Sequence, residues 1–486
     1  MTRSLSELKP SSVWKHFEQI LKIPRCSGNE GGAADYVVSQ AKKLGLSWTK
    51  DKAGNVIVRK PGRPGRERSE TVVVQGHLDM VCEKNSDVKH DFSRDPIEAE
   101  IQDGWIRAKG TTLGADNGIG VATALAVMED QSVAHGPLEF LFTVDEETGL
   151  TGARYVEAGS LKGKYLINVD SEEEGTFTIG CAGGADSEIA LPLKRKKSRT
   201  KNAYRLKIGG LRGGHSGLDI NQGRANALKL QAGVLVEAGP RFPLELIRIE
   251  GGNKRNAIPR EARAEFLLEA SRVDAFNDFL KGTADGIRAE FGSVEKDFEY
   301  SLEEMDRRKE DPLALRSQQI LLNFLLSCPH GVLRMHPDIP DLVESSTNLA
   351  IIHCTKTRAE IICSSRSSVG PALEAIRRVV KSFAELCGAT IRQPQGYPGW
   401  APNLQSPLLA KLKEVHRKVV GQDVKVVAVH AGLECGLFGE KFPGMDMISM
   451  GPTIKHPHSP DEVAEIKSVE NFWTLLKAVL EALALP

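Results

Sequence analysis

Five short motifs place histidine or acidic residues at the end of apolar runs. In chain order they are Gly76-His77-Leu78-Asp79, Gly114-Ala115-Asp116-Asn117-Gly118, Asp145-Glu146-Glu147-Thr148-Gly149, Asn168-Val169-Asp170 and Pro457-His458-Ser459-Pro460. Imidazoles and carboxylates are ligands for borderline-soft divalent cations such as zinc. Two histidines and three carboxylates suit a pair of such ions, and a further acid remains to serve as a base. The set therefore predicts a two-metal hydrolytic site.

The apolar runs before these motifs are predicted to be buried strands, because they are rich in β-branched and other apolar residues. The runs are residues 71–75, 138–144, 165–169 and 445–450. Residues 118–128 have the pattern of an amphipathic helix. Strands alternating with helices predict an open α/β sheet, in which ligands gather at the carboxyl ends of the strands. We expect the acids to meet at this edge.

Composition limits the class of protein. The chain has 486 residues, 41% hydrophobic content and 64 residues of each charge, so no net charge favours nucleic acid as a partner. The eight cysteines are scattered without a C-x-x-C pair, which is typical of a reduced, cytoplasmic protein. No signal-peptide pattern or membrane-spanning run is present in the sequence. We expect a soluble protein that does not bind membranes.

The strand and helix pattern changes twice along the chain. Residues 1–186 read as the first part of an α/β catalytic domain with a central mixed sheet, and residues 392–486 read as its second part. Residues 187–391 between them form an α+β insertion with partly exposed sheets. Residues 251–259 and 344–350 each precede a strand, so internal doubling of the insertion is left open.

Longer motifs carry a resemblance to a known family. They are Gly209 to Gly217, the Asn-Ala-Ile-Pro run at 256–259, and the segments 110–120, 170–175 and 430–437. With the five motifs, they resemble the co-catalytic zinc exopeptidases related to aminoacylase and carnosinase, and most closely the bacterial aminoacyl-histidine dipeptidases. The resemblance covers essentially the whole chain.

The resemblance implies a role for each residue of the five motifs. The implied ligands are a bridging Asp116, with His77 and Asp170 on one ion and Glu147 and His458 on the other. Glu146 would be the general base, and Asp79 would accept the second N–H of His77 and fix its tautomer. Different roles for the neighbours Glu146 and Glu147 require a turn there. A non-proline cis peptide is also implied at Asp116–Asn117.

The resemblance further implies that the insertion is a lid over the substrate. His215 and Asn256 match the residues that meet the substrate carbonyl and carboxylate in that family, and Arg366 matches an arginine for the terminal carboxylate. Glu434 would hold the free amine of the peptide. Each of these residues could instead be a packing or surface residue.

The segment after His458 has a structural interpretation of its own. Ser459-Pro460-Asp461-Glu462 has the pattern of a helix capping box with proline at the first helical position. We therefore expect Asp461 and Glu462 to be structural, and we expect His456 not to be a ligand.

These expectations define a metal-dependent dipeptidase that cleaves Xaa-His and related dipeptides through a water activated by two metal ions. Zinc is the expected metal, and manganese or cobalt could replace it. An N-acyl-amino-acid deacylase or a tripeptide aminopeptidase would use the same metal chemistry. A non-catalytic metal-binding scaffold is disfavoured because the ligand set and Glu146 are unbroken. Monomer and homodimer are both compatible with the sequence.

Overall fold

The computed structural model describes residues 4–307 and 310–484, which fold as two units. Unit 1 comprises Met1–Cys181, Trp400–Ala428 and Leu433–Pro486. Unit 2 comprises Ala182–Gly399 and Val429–Gly432.

The first part of unit 1 alternates strands with helices. Its helices are α1 (Ser11–Ile20), α2 (Gly31–Lys43), α3 (Ala115–Glu129), α4 (Glu146–Gly149) and α5 (Thr151–Tyr155), after a 3₁₀ turn at Leu5–Glu7. Its strands are β1 (Ser47–Lys50), β2 (Val56–Lys60), β3 (Val72–His77), β4 (Ala99–Gln102), β5 (Trp105–Ala108), β6 (Leu138–Thr143), β7 (Tyr165–Asn168) and β8 (Thr176–Cys181).

The middle of the chain is richer in strands. They are β9 (Gly183–Pro192), β10 (Ala203–Gly209), β11 (Gly214–His215), β12 (Glu245–Gly251), β13 (Ala257–Ile258), β14 (Ala262–Leu267), β15 (Glu299–Met305), β16 (Gly331–Met335), β17 (Val343–Cys354), β18 (Arg358–Ser367) and β19 (Thr390–Arg392). The helices are α6 (Ala227–Ala238), α7 (Val273–Phe291), α8 (Leu315–Ser327) and α9 (Gly370–Leu386), with a 3₁₀ turn at Ala270–Arg272.

The last part of the chain returns to unit 1 and its alternating style. The elements are α10 (Pro407–Val420), β20 (Lys425–Val429), α11 (Glu434–Lys441), β21 (Asp446–Ser449), β22 (Ile454–Lys455), β23 (Val463–Glu465) and α12 (Ile466–Leu483).

The main sheet of unit 1 is mixed, as the sequence predicts. Its eight strands run in the order β1-β2-β6-β3-β7-β21-β8-β20. The central neighbours β6, β3, β7 and β21 pair in parallel, whereas β1, β2 and β6 pair antiparallel. The four runs predicted as strands are these central four, so their carboxyl ends lie at one edge. A small four-stranded sheet, β22-β23-β5-β4, completes the unit.

Helix α3 lies in the centre of the hydrophobic core of unit 1. Its residues from Ala115 to Met128 are all buried, and it packs against α1 and β3. Alanine and glycine dominate its sequence, which lets neighbouring elements approach closely on every side. The helix therefore begins at a point that the core holds firmly, immediately before Asp116.

Unit 2 contains a nine-stranded antiparallel sheet with the order β15-β10-β14-β12-β17-β18-β9-β19, and β16 pairs with β17. Helices α6 and α8 pack against each other, and α9 packs against β9 and β18. Strands β11 and β13 form a separate two-stranded sheet. This arrangement is the α+β pattern expected for the insertion.

Two cysteines depart from the expectation of reduced thiols. Cys26 and Cys82 are joined in a disulfide, and the six other cysteines are free. Cys26 lies beside Met80 in an isolated β-bridge, which brings Cys82 within reach despite the distance in sequence. Among the helices that the structure describes, none has the length and apolarity needed to cross a membrane.

Candidate metal centre

The carboxyl ends of three parallel strands bring the predicted ligands together in unit 1. His77 is the last residue of β3, Asp170 follows β7, and Glu147 lies in the short helix that follows β6. Asp116 lies at the start of α3, and the turn before β23 supplies His458.

The five residues form two triads that share Asp116. In the first triad, Nε2 of His77 lies 3.1 Å from Asp116 Oδ1 and 3.2 Å from Asp170 Oδ1. In the second, Nε2 of His458 lies 3.1 Å from Asp116 Oδ2 and 3.0 Å from Glu147 Oε1. Each oxygen of the shared carboxylate thus faces a different imidazole.

The donor set of both triads fits divalent cations. Asp170 Oδ1 and Glu147 Oε1 are buried close to imidazole nitrogens, yet neither accepts an aligned hydrogen bond from a described residue. Such oxygens are costly to bury without a compensating positive charge. Each triad offers one imidazole nitrogen and two carboxylate oxygens within 4.8 Å of one another, a set that suits zinc.

The electrostatics of the site reflect this concentration of acids. Burial alone would lower the pKa of His77, but Asp170, Asp116 and Asp79 raise it well above its ordinary value. The close contacts of His458 with the carboxylates of Asp116 and Glu147 raise its pKa to about 11. Burial raises the pKa of Asp170 to about 7 against the attraction of His77. The carboxylates therefore favour positive charge at the positions of both imidazoles.

Asp79 lies on the far side of the His77 ring. Its Oδ1 is 3.3 Å from His77 Nδ1, and its two oxygens also accept the backbone N–H groups of Glu146 and Glu147. Burial would raise the pKa of Asp79, but the hydrogen bond with His77 lowers it to about 2. One ionised carboxylate thus contacts both the imidazole and the turn that carries the two glutamates.

Glu146 and Glu147 lie in a single helical turn rather than in a regular strand, as their different predicted roles require. Asp145 before them has φ +51°, and α4 extends only from Glu146 to Gly149. An oxygen of Glu146 lies within 4.8 Å of ligand atoms of His77 and Glu147. Burial, and next the charges of Asp170 and Glu434, raise the pKa of Glu146 well above its ordinary value against the attraction of His77.

The backbone at Asp116 has the predicted geometry. The Asp116–Asn117 peptide is cis. Asn117 donates from Nδ2 to the carbonyl of Val169, one residue before Asp170. A side chain at Gly76, the residue before His77, would collide with the Asn117 side chain, so glycine is required there.

Glu434 is fully buried in unit 1 at the start of α11. Its Oε2 accepts hydrogen bonds from Gln75 Nε2 at 2.5 Å and from Thr143 Oγ1 at 2.8 Å. Its Oε1 accepts none from the residues that the structure describes. Burial raises the pKa of Glu434 to about 8.

His215 and Arg366 come together in unit 2. Nδ1 of His215 accepts the backbone N–H groups of Gly217 and Leu218, so the neutral ring carries its proton on Nε2. Nη2 of Arg366 lies 3.5 Å from that Nε2, and its Nη1 donates to Tyr397 Oη. Two donors therefore face each other, an arrangement that an acceptor oxygen between them would satisfy. Burial, and next the charge of Arg366, lower the pKa of His215 to about 4.

Asn256 lies in the turn immediately before β13, close to His215. Its backbone carbonyl accepts the N–H of Ser216, and Ala257 pairs with His215. The Asn256 side chain is exposed, and both residues line a cleft of about 980 Å³ in unit 2.

The segment after His458 differs from its predicted form. Residues 459–462 make a turn followed by β23, and α12 begins only at Ile466, so the predicted capping box is wrong. The Glu462 carboxylate instead accepts backbone N–H groups just before and at the start of α3. His456 is exposed, and among the residues that the structure describes it belongs to neither triad.

Several residues near these groups had no predicted role. His430 is buried in unit 2 and bonds through Nε2 to Ser346 Oγ at 2.7 Å. Burial, then Arg366 and His215, lower the pKa of His430 to about 3. His430 is the first residue of the segment 430–437, which is one of the motifs that carry the resemblance, and its place there could have marked it as a functional residue. Tyr397 follows only a turn-rich segment in the sequence and gave none.

Known proteins resemble this chain over its whole length. A model of peptidase family M20/M25/M40 matches residues 73–482. The cytosol non-specific dipeptidase of Escherichia coli (strain K12) is 40% identical over 478 residues, which are 98% of each chain. The crystal structure of aminoacylhistidine dipeptidase from Vibrio alginolyticus has a TM-score of 0.90 and 41% identity, covering 99% of this chain and 98% of that one. Human carnosine dipeptidase 1, at 12% identity and a TM-score of 0.52 over 97% of this chain and 98% of that one, shares the fold.

Proposed function

This chain belongs to peptidase family M20/M25/M40 and is a metallopeptidase. We propose that it hydrolyses dipeptides with the help of two divalent cations bound in unit 1. The observation that carries the proposal is the pair of triads that share Asp116. The names of the relatives from Escherichia coli and Vibrio alginolyticus support dipeptides as the substrate class.

His77 and Asp170 would hold one cation, Glu147 and His458 the other, and Asp116 both. We propose zinc as the metal because nitrogen and oxygen donors of this kind suit it, with manganese or cobalt as functional substitutes. A pair of bound cations would lower the pKa of a water molecule and polarise the scissile carbonyl.

Glu146 is proposed as the general base. Its carboxylate lies next to the ligand atoms and accepts a proton from the attacking water, which it then passes to the leaving amine. Asp79 is proposed to orient His77 by accepting its Nδ1–H, since this contact fixes which nitrogen faces the cation.

We propose that unit 2 acts as a lid and supplies donors to the oxygens of the bound peptide. His215 offers Nε2–H to the carbonyl oxygen, and Arg366 pairs with the terminal carboxylate. Asn256, adjacent to His215, is proposed as a further donor to the substrate. In unit 1, the Glu434 oxygen without a hydrogen-bond donor is proposed to hold the free amine.

Xaa-His dipeptides are proposed as preferred substrates, with broader scope among neutral dipeptides. The name of the Vibrio alginolyticus relative supports the first, and the name of the Escherichia coli relative supports the second. The latter name also supports a cytosolic location. Mass measurement in solution decides between monomer and homodimer.

A substrate panel tests the proposal. The purified protein is stripped with a chelator, reloaded with zinc, manganese or cobalt, and assayed on carnosine, other Xaa-His and neutral dipeptides, a tripeptide and N-acetyl-histidine. We expect hydrolysis of the free dipeptides, its loss on chelation and its recovery with metal. Preferential cleavage of the N-acetylated compound or the tripeptide would overturn the dipeptidase assignment. Tight binding of two ions without hydrolysis would support a scaffold instead.

A further inference from the structure

The buried carboxylate of Glu462 accepts the backbone N–H groups of residues 113–116, the segment that ends at Asp116. Glu462 is 2% exposed, and its Oε2 accepts the N–H groups of Leu113 at 2.7 Å and Gly114 at 2.8 Å. Its Oε1 accepts those of Ala115 at 2.7 Å and Asp116 at 3.2 Å. Four consecutive N–H groups therefore converge on one side chain, and the last of them belongs to Asp116 itself.

A buried arginine holds the same turn from the opposite side. Arg25 is 2% exposed, and it donates to the carbonyls of Leu78 at 3.0 Å, Asp79 at 2.7 Å and Gly114. Gly114 has φ +69°, and a Cβ there would meet Nη2 of Arg25, so the turn accepts only glycine. Arg25 thus joins the segment after His77 to the turn before Asp116.

Because these contacts link three ligand-bearing segments, we propose that Glu462, together with Arg25, is a positioning residue for the bridging Asp116. The inference rests on the proposed two-metal function. Glu462 lies four residues after His458, so its carboxylate ties the His458 turn to the Asp116 turn, and Arg25 ties the latter to the end of β3.

The contacts of Glu462 and Arg25 with residues 113–116, here called the clamp, matter because the position of the Asp116 carboxylate depends on them. The two oxygens of Asp116 each lie 3.1 Å from an imidazole nitrogen, one of His77 and one of His458. A carboxylate can bridge two ions only when both oxygens keep such positions. Loss of the Glu462 charge would release four N–H groups and leave Arg25 buried with less compensation. The bridging carboxylate would then no longer be fixed relative to either imidazole.

Glu462→Gln tests the clamp with little change of size. Its amide group would place an N–H₂ against two backbone N–H donors, so at least half of the interactions are lost. Asp461→Asn is the matched control, because it makes the same chemical change one residue earlier at an exposed side chain. Glu462→Asp keeps the charge and serves as the conservative variant. Arg25→Lys is the second route to the clamp if Glu462→Gln does not fold.

The experiment titrates the metal-free proteins with Co²⁺ and follows the visible absorption of the bound ions, with denaturant unfolding of the metal-free proteins in parallel. We expect the wild type and Asp461→Asn to bind two ions alike. Glu462→Gln, or Arg25→Lys in its place, should bind Co²⁺ roughly 10- to 100-fold more weakly, the range for residues that orient metal ligands. At saturating metal, it should lower kcat without changing KM, and Glu462→Asp should recover part of the affinity.

A purely structural role predicts a different result. In that case Glu462→Gln, or Arg25→Lys in its place, lowers the unfolding free energy while Co²⁺ affinity and the absorption spectrum stay unchanged, which would overturn the inference. A wild-type protein that binds no pair of ions would overturn the proposed function and this inference with it. The two failures are distinguished by whether the wild type or only the variant departs from expectation.

Discussion

Four histidines show how differently the two units treat the same side chain. In unit 1, His77 and His458 face carboxylates that raise their pKa values, that of His458 to about 11. In unit 2, burial, and next Arg366, lower the pKa of His215 to about 4 and that of His430 to about 3. The surroundings of the first pair favour positive charge, whereas those of the second pair keep the imidazoles neutral beside an arginine.

This contrast matches the two charges that peptide hydrolysis must manage. In the proposed reaction, the acid-rich ligands of unit 1 would hold cations, which would activate water and polarise the carbonyl. The neutral imidazole and the guanidinium of unit 2 would stabilise the negative oxygens of the substrate. The difference shows that the groups around a histidine, rather than its presence in a motif, determine whether its imidazole is charged or neutral. Each prediction below changes one side of this comparison.

The largest effect is expected for the base in unit 1. Glu146→Gln should keep both metal ions but lower kcat by about 10²-fold or more, since positioned acid–base catalysis contributes this much. Metal content and kcat are measured on the same preparation. Glu147→Gln is the matched control and should lose occupancy of one site first. Metal loss in Glu146→Gln, with full occupancy in Glu147→Gln, would exchange their roles.

A smaller loss is expected for the neutral donor of unit 2. His215→Ala should retain two ions and normal thermal stability while kcat falls by roughly 10²-fold, the scale for removal of one oxyanion donor. Metal content, melting temperature and kcat are compared with those of the wild type. Reduced stability with near-normal kcat would show that His215 is a packing residue. It would then no longer serve as an example of a neutral donor in unit 2.

Arg366 should act mainly on binding. Arg366→Lys keeps the charge but loses the planar pair of donors, so we expect KM to rise roughly 10-fold with little change in kcat. A dipeptide with an amidated C-terminus is the control substrate, because wild type and variant should treat it alike. An equal loss on both substrates would assign Arg366 a structural role through its contact with His215.

The sequence predicted which histidine and acidic side chains lie close together better than it predicted the contacts that hold them in place. Four of the five proposed ligands, all except His458, follow an apolar strand or begin a buried helix, so burial and strand order dictate where His77 and Asp170 meet. The resemblance, rather than spacing, supplied the roles of Glu146 and Asp79 and the cis peptide after Asp116.

The sequence did not predict the contacts between segments that are far apart along the chain. Glu462 looked like a helix cap because its neighbours fit a capping pattern, but tertiary contacts took its carboxylate to residues 113–116. Cys26 and Cys82 meet only because Arg25 and Asp79 lie side by side in the fold. Each outcome depends on pairing across tens or hundreds of residues, which no local pattern records.

The smallest expected effect tests the neutral state of His430. The unfolded chain takes up a proton near the ordinary histidine pKa of about 6.5, whereas the folded protein does so only near about 3. Stability therefore rises with pH in this window and is lost as pH falls through it, by at most about 1.4 kcal/mol per pH unit. His430→Gln removes this titration, so its unfolding free energy should fall less between about pH 7 and about pH 5. Denaturant unfolding at both pH values measures the difference, with exposed His456→Gln as control. An unchanged pH dependence would mean that His430 titrates alike in both states, which would erase half of the contrast between the units.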